Sequence, residues 1–145
     1  MTQEITDYLL EKLPKSFDGW TREAVEDYVI HNIRNHQLVA ATSKESGRVV
    51  GVMTGWSQKG DNVERYNFQE SDPDGDTWVW HQWAADDKAT AAVLAQSMMA
   101  RRPECVMMPS VAHRRGRIRK YKPGQPLHIL IKAKETHGIC ISTSS

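Results

Sequence analysis

The stretch from Gly75 to Arg102, GDTWVWHQWAADDKATAAVLAQSMMARR, decides the fold. Trp78, Val79, Trp80, His81, Gln82 and Trp83 carry the aromatic and β-branched bias of an extended segment that packs on both faces, which predicts a buried central strand. Asp86 and Asp87 stand where a helix N-terminus takes a capping carboxylate, and Arg101 and Arg102 stand where its C-terminus takes positive charge. Between them Ala91, Ala92, Leu94, Ala95, Met98 and Met99 form a small-residue face suited to close packing on a sheet. A strand end that opens into a helix N-terminus is a common place to hold an anion, because N–H groups converge there. This corner has two aspartates and no glycine, so an anion is repelled and a plain cap is expected.

Around that stretch, 145 residues suit one domain, long enough to bury a core without disulfides or metal. The expectation is a single unit over residues 1–145 with a loose tail at 138–145. Nineteen Lys and Arg against 18 Asp and Glu leave a formal charge of +1, so an electrostatic partner must be recognised by a local patch. Cys105 and Cys140 have no CxxC and no histidine at ligand spacing, which points to no zinc site, no disulfide framework and a reducing, cytoplasmic setting. The start, MTQEITDYLL, is not an export signal, and no run of apolar residues is long enough to span a membrane.

Taken in order, Tyr8, Leu9, Leu10 and Leu13 predict a short amphipathic helix from Thr6, which Pro14 helps to end. Thr21 offers half a capping box, and Val25, Tyr28, Val29 and Ile33 predict a second helix from about Thr21 to Asn35. His31 and His36 lie five apart and do not share a face as a metal pair would. Leu38 to Thr42 and Arg48 to Trp56 read as a hairpin about the turn Ser43 to Gly47. The polar segment 57–75 is long for a connection, and is either functional or merely mobile, with room for a short element around Val63 to Phe68. Cys105 to Met108 reads as a buried strand. Beyond it VAHRRGRIRKYKPGQP gathers Arg114, Arg115, Arg117, Arg119, Lys120 and Lys122 around Ile118 and Tyr121, a hairpin with one basic face. A last strand is expected over Leu127 to Lys132.

This order is α+β. Two blocks, VIHNIRNHQLVAATSKESGRVVGVMTGWS and GDTWVWHQWA followed by a helix, RRP and VAHRRGRIRKY, are similar in order and spacing to segments of the toxin-activating lysine acyltransferases, which acylate RTX cytolysins. The resemblance covers roughly residues 25 to 122. It implies an N-acetyltransferase-like (GNAT-like) mixed sheet of about five to six strands, with two N-terminal helices and one helix after the central strand. It also implies, for an active member, an acyl-carrier protein or acyl-CoA donor. The family's Ser-x-x-His motif has no counterpart here, and His81 falls where the family has a strand aspartate. Its Ala-Pro-Phe-Gly corner is replaced by Ala84, Ala85, Asp86 and Asp87, and the acetyl-CoA signature of the wider fold is absent too.

Three functions therefore stand open. An acyltransferase would use His81 as general base, His31 or His36 in place of the lost histidine, and Trp78, Trp80 and Trp83 as walls of an acyl pocket. The same tryptophans equally describe an aromatic core. A binding or assembly module, such as a phage virion component or an inhibitor of a host enzyme, needs a protein partner or self-association, no cofactor and no metal. A nucleic-acid protein would place the arginines of 113–122 on phosphates, whereas a solvated hairpin face is the bland reading of the same residues.

Overall fold

The computed structural model describes residues 1–63, 69–114, 117–125 and 139–143, with Arg114 and 139–143 described by backbone only. Two helices, α1 (Thr2–Lys12) and α2 (Arg22–Arg34), lead into strands β1 (Leu38–Ser43), β2 (Val49–Gln58) and β3 (Thr77–Ala85). Helix α3 (Lys88–Arg101), a single turn α4 (Glu104–Met107) and strands β4 (Ser110–Arg114), β5 (Arg117–Tyr121) and β6 (Ile139–Thr143) complete it. The sheet order is β5-β4-β3-β2-β1-β6, with β3 and β4 parallel and every other neighbour antiparallel. An α+β mixed sheet with two leading helices and a helix after the central strand is consistent with the GNAT-like architecture.

Alternation divides the core into two layers. Leu38, Ala40 and Val52 face α1 and α2, where they meet Ile5, Leu9, Val25, Tyr28 and Val29. Val39, Ala41 and Met53 face the other way, where they meet Leu94, Ala95 and Met98 of α3. The alanine-rich helix does lie close to the sheet: a Cβ on Gly51 would stand 2.8 Å from Leu94 Cδ1 and 2.9 Å from Thr90 Cγ2. Gly51 is thus a packing glycine that admits the helix.

Helix ends follow their capping chemistry. Thr21 Oγ1 accepts from Ala24 N at 3.1 Å, and Asp87 Oδ1 accepts from Thr90 N at 2.7 Å. The first helix begins earlier than expected, at Thr2 rather than Thr6, since Thr2 to Ile5 supply a further turn whose Ile5 reaches the core.

Two expectations are overturned. Cys105 to Met108 is not a strand: Pro103 starts a turn, Cys105 N donates to Arg102 O and Val106 N to Pro103 O, and Met107 is 75% exposed. Four apolar residues in a row carry no period that separates strand from helix. Nor is the tail 138–145 loose throughout, because Ile139–Thr143 pairs with β1 from Val39↔Thr143 to Ser43↔Ile139. Its two isoleucines have strand propensity that the surrounding Ser and Thr obscure. The strand expected over Leu127 to Lys132 lies outside the described residues, as does the 64–68 part of the element expected around Val63.

Candidate functional site

Trp78, Trp80 and Trp83 are spaced two and then three apart, a pattern that simple alternation would split between the faces. All three nevertheless lie in the α3 layer. The explanation is a β-bulge: Thr54 pairs with Gln82 and Gly55 with Trp80, leaving His81 as an extra residue. That residue restores the parity, so Trp83 returns to the side of Trp78 and Trp80.

On the α3 side the rings pack in series. Trp78 meets Trp80 edge-on at 5.8 Å between centroids, and Trp80 lies 6.0 Å from Trp83. Trp78 is fully buried and Trp80 nearly so. Arg102 lies over the Trp78 ring at 5.7 Å. Trp78 also packs against Gly55, where a Cβ would stand 2.7 Å from the indole and 2.8 Å from Val79 O. Trp78 and Trp80 are thus packed as core side chains, with Trp83 partly buried at the end of the series.

The opposite side of the bulge is polar. His81 Nδ1 lies 2.7 Å from Tyr28 Oη, which lies 2.6 Å from Thr54 Oγ1, and Gln82 N donates to that same Thr54 oxygen at 3.0 Å. One assignment satisfies every group: Gln82 N–H donates to Thr54, Thr54 O–H to Tyr28, and Tyr28 O–H to His81 Nδ1, which places the neutral imidazole proton on Nε2. Burial pushes the Tyr28 phenol well above its ordinary value, although the Thr54 hydroxyl bond opposes that shift. The imidazole also lies against Trp56, with 4.5 Å between ring centroids. His81 is thus a clamped member of a buried chain, reached through α2.

The corner after β3 is closed to anions by its own carboxylates. Bonding from Thr90 N holds the Asp87 carboxyl below its usual range, so the α3 N-terminus already has its negative partner. Asp86 turns away, accepting from Tyr8 Oη at 2.9 Å and standing 3.6 Å from Lys12 Nζ. Both expected caps are therefore used, one for α3 and one to tie α1 to the corner.

β3 and β4 pair only from Trp78↔Ser110 to Trp80↔Ala112, while β3 runs on to Ala85. The strands part at the bulge. Beyond β4, β5 is an edge: Arg117, Ile118, Arg119 and Lys120 are all exposed, so cations occur on both faces rather than on one. Opposite Ala112, Arg119 shares the α3 side with Arg117, whereas Ile118 and Lys120 share the other side with Val111. Lys120 Nζ lies 2.6 Å from Asp61 Oδ2 and holds that carboxyl below its ordinary value. The Arg114 side chain and Arg115 lie outside the described residues.

His31 and His36 do not join His81. His31 is on α2 and His36 follows it in the left-handed region at φ 55, its Nδ1 3.4 Å from Arg101 Nη2. Among the described residues no group of three or more His, Cys, Asp or Glu could hold a metal ion, and no helix is long and apolar enough to cross a membrane. Burial pushes the free Cys105 thiol up to about 12, leaving it unreactive.

The long polar segment is held to the start of β1 by an amide that sequence reasoning missed. Buried Gln37 donates from Nε2 to Gln69 O at 2.7 Å and accepts at Oε1 from Ser71 N at 2.7 Å. Ser57 Oγ and Asp72 O add a bond of 2.8 Å, and Gly60 N donates to Asp76 at 3.0 Å. The described parts of this connection are pinned to Gln37, just before β1, and to Ser57 of β2. A glutamine between a helix and an apolar strand was the available signal.

Fold and site together define an α+β mixed-sheet protein, consistent with a GNAT-like description, whose corner is capped and whose aromatic strand is buried. No family model matches the chain, and neither a curated protein nor a solved structure does.

Proposed function

We propose that the protein is a non-catalytic or diverged relative of the GNAT-like acyltransferases, a cytoplasmic binding or assembly module that meets an acidic protein surface through β5. One observation carries this reading. Four successive residues of the edge strand β5, Arg117 to Lys120, are exposed, whereas the α3 N-terminus is already occupied by Asp87. Filling of the aromatic strand by Trp78 and Trp80 supports it further, because a donor chain would have to displace core. The test is an NMR titration of the full chain with poly-glutamate and, separately, with single-stranded DNA. Salt-sensitive shifts confined to β5 with poly-glutamate are expected; no response to it, or a preference for DNA, overturns the reading.

A second reading, transfer of an acyl group from an acyl-carrier protein or acyl-CoA to a protein lysine, is favoured by a different observation. β3 and β4 separate at the bulge that carries His81, which would leave a slot beside a histidine base. Thiol release from an acyl thioester that disappears in His81→Ala, with Tyr28→Phe weakening it, would establish that reading over the first.

A further inference from the structure

We propose that β5 takes an extended acidic segment of a partner by strand addition, with carboxylates opposite Arg117 and Arg119 and an apolar side chain opposite Ile118. The proposal rests on the reading of β5 as the contact surface and adds how the partner is held.

The sheet order ends at β5 on one side and at β6 on the other, and of these two edge strands β5 is the one whose exposed residues are basic. Among the described residues nothing pairs with the outer side of β5. Every second residue of a strand directs its N–H and C=O to one edge, which gives an incoming chain a row of backbone partners. Edge lysines and arginines normally repel stray strands, whose apolar side chains cannot pair with them. A strand carrying carboxylates converts that barrier into selectivity, since opposite charges directly across a pair attract and like charges repel.

The pattern of β5 sets the partner's pattern. Arg117 and Arg119 lie on the α3 side and have no ion pair among the described residues, whereas Lys120 on the opposite side already meets Asp61. Ile118, on the opposite face from the two arginines, is 45% exposed. The matching segment alternates acidic and apolar residues. A folded acidic surface without a free strand, or a nucleic-acid phosphate chain, would meet the charges but leave Ile118 and the backbone row unused.

Fluorescence anisotropy of the full chain with labelled peptides of about ten residues tests this, a length that covers one strand and its flanks. One peptide alternates Glu and Val, a second alternates Glu and Pro with equal charge but no backbone donors at the prolines, and a third alternates Lys and Val. The Glu-Val peptide is expected to bind at least about tenfold more tightly than either other, and Arg117→Glu with Arg119→Glu to weaken it by about tenfold or more. Slowed amide exchange in β5 on adding Glu-Val checks strand addition without any variant. Equal binding of Glu-Pro and Glu-Val overturns the proposal and leaves the acidic-surface reading standing. Failure of all three peptides together with poly-glutamate overturns both, as does tighter binding of single-stranded DNA.

Discussion

The two faces of β3 hold the molecule in different ways. Toward α3, Trp78, Trp80 and Trp83 form an aromatic stack whose stability comes from removing large apolar surface from water. Toward α2, His81 and Gln82 enter a chain of hydrogen bonds through Tyr28 and Thr54, whose net contribution is small but whose interruption leaves buried polar groups unsatisfied. The difference teaches that one strand can be core on one side and a geometrical clamp on the other. The bulge between them keeps Trp83 on the aromatic side despite its odd spacing.

The sharpest way to break this comparison is to empty the aromatic face. Trp78→Ala should cost about 3–5 kcal/mol in urea unfolding, because the ring is fully buried between Gly55, Trp80 and Arg102. A cost under about 1 kcal/mol would show that this side is less closely packed than the distances indicate. Filling rather than emptying has the next effect. Gly55→Ala should destabilise by about 1–3 kcal/mol, as its Cβ meets both an indole and a backbone oxygen that have little room to move.

The polar face should respond more to pH than to deletion. Tyr28→Phe leaves His81 Nδ1 and the Thr54 hydroxyl without their partner, at about 1–3 kcal/mol. Because the folded Tyr28 keeps its proton above the ordinary value of 10.0, the unfolded chain binds fewer protons at higher pH and stability must fall as pH rises past that value. The wild-type slope beyond about pH 10 should exceed that of Tyr28→Phe by up to about 1.4 kcal/mol per pH unit, measured by urea unfolding in alkaline buffers. Equal slopes in the two proteins would remove Tyr28 from the account.

The smallest effect belongs to the corner. Asp87→Ala should cost about 1 kcal/mol through loss of the α3 cap. With its folded carboxyl held below the usual range, this contribution is present at neutral pH and is lost as pH falls from about 4 through the folded value. The acid limb of the stability profile should therefore be shallower in the variant.

Much of the fold was legible because local signals were strong. Thr21 and Asp87 marked helix starts, and the Ser43 to Gly47 turn joined two strands close to their observed ends. What could not be read was long-range. Nothing local in Ile139–Thr143 says that it pairs with Val39–Ser43, far away in the sequence. Cys105 to Met108 had composition but no period. At the site, His81 was identifiable as a histidine on the central strand, but its partners Tyr28 and Thr54 come from elements that only the packing brings together. The tryptophan spacing did contain the bulge, as an odd interval between Trp80 and Trp83.

That odd interval also shows how little separates a bulged strand from a regular one. Without Gln82 the strand would read as an uninterrupted alternation, with Trp78, Trp80 and Trp83 still on the α3 side and His81 opposite Thr54. Removing one residue at the bulge would therefore make the strand regular without exchanging its two faces.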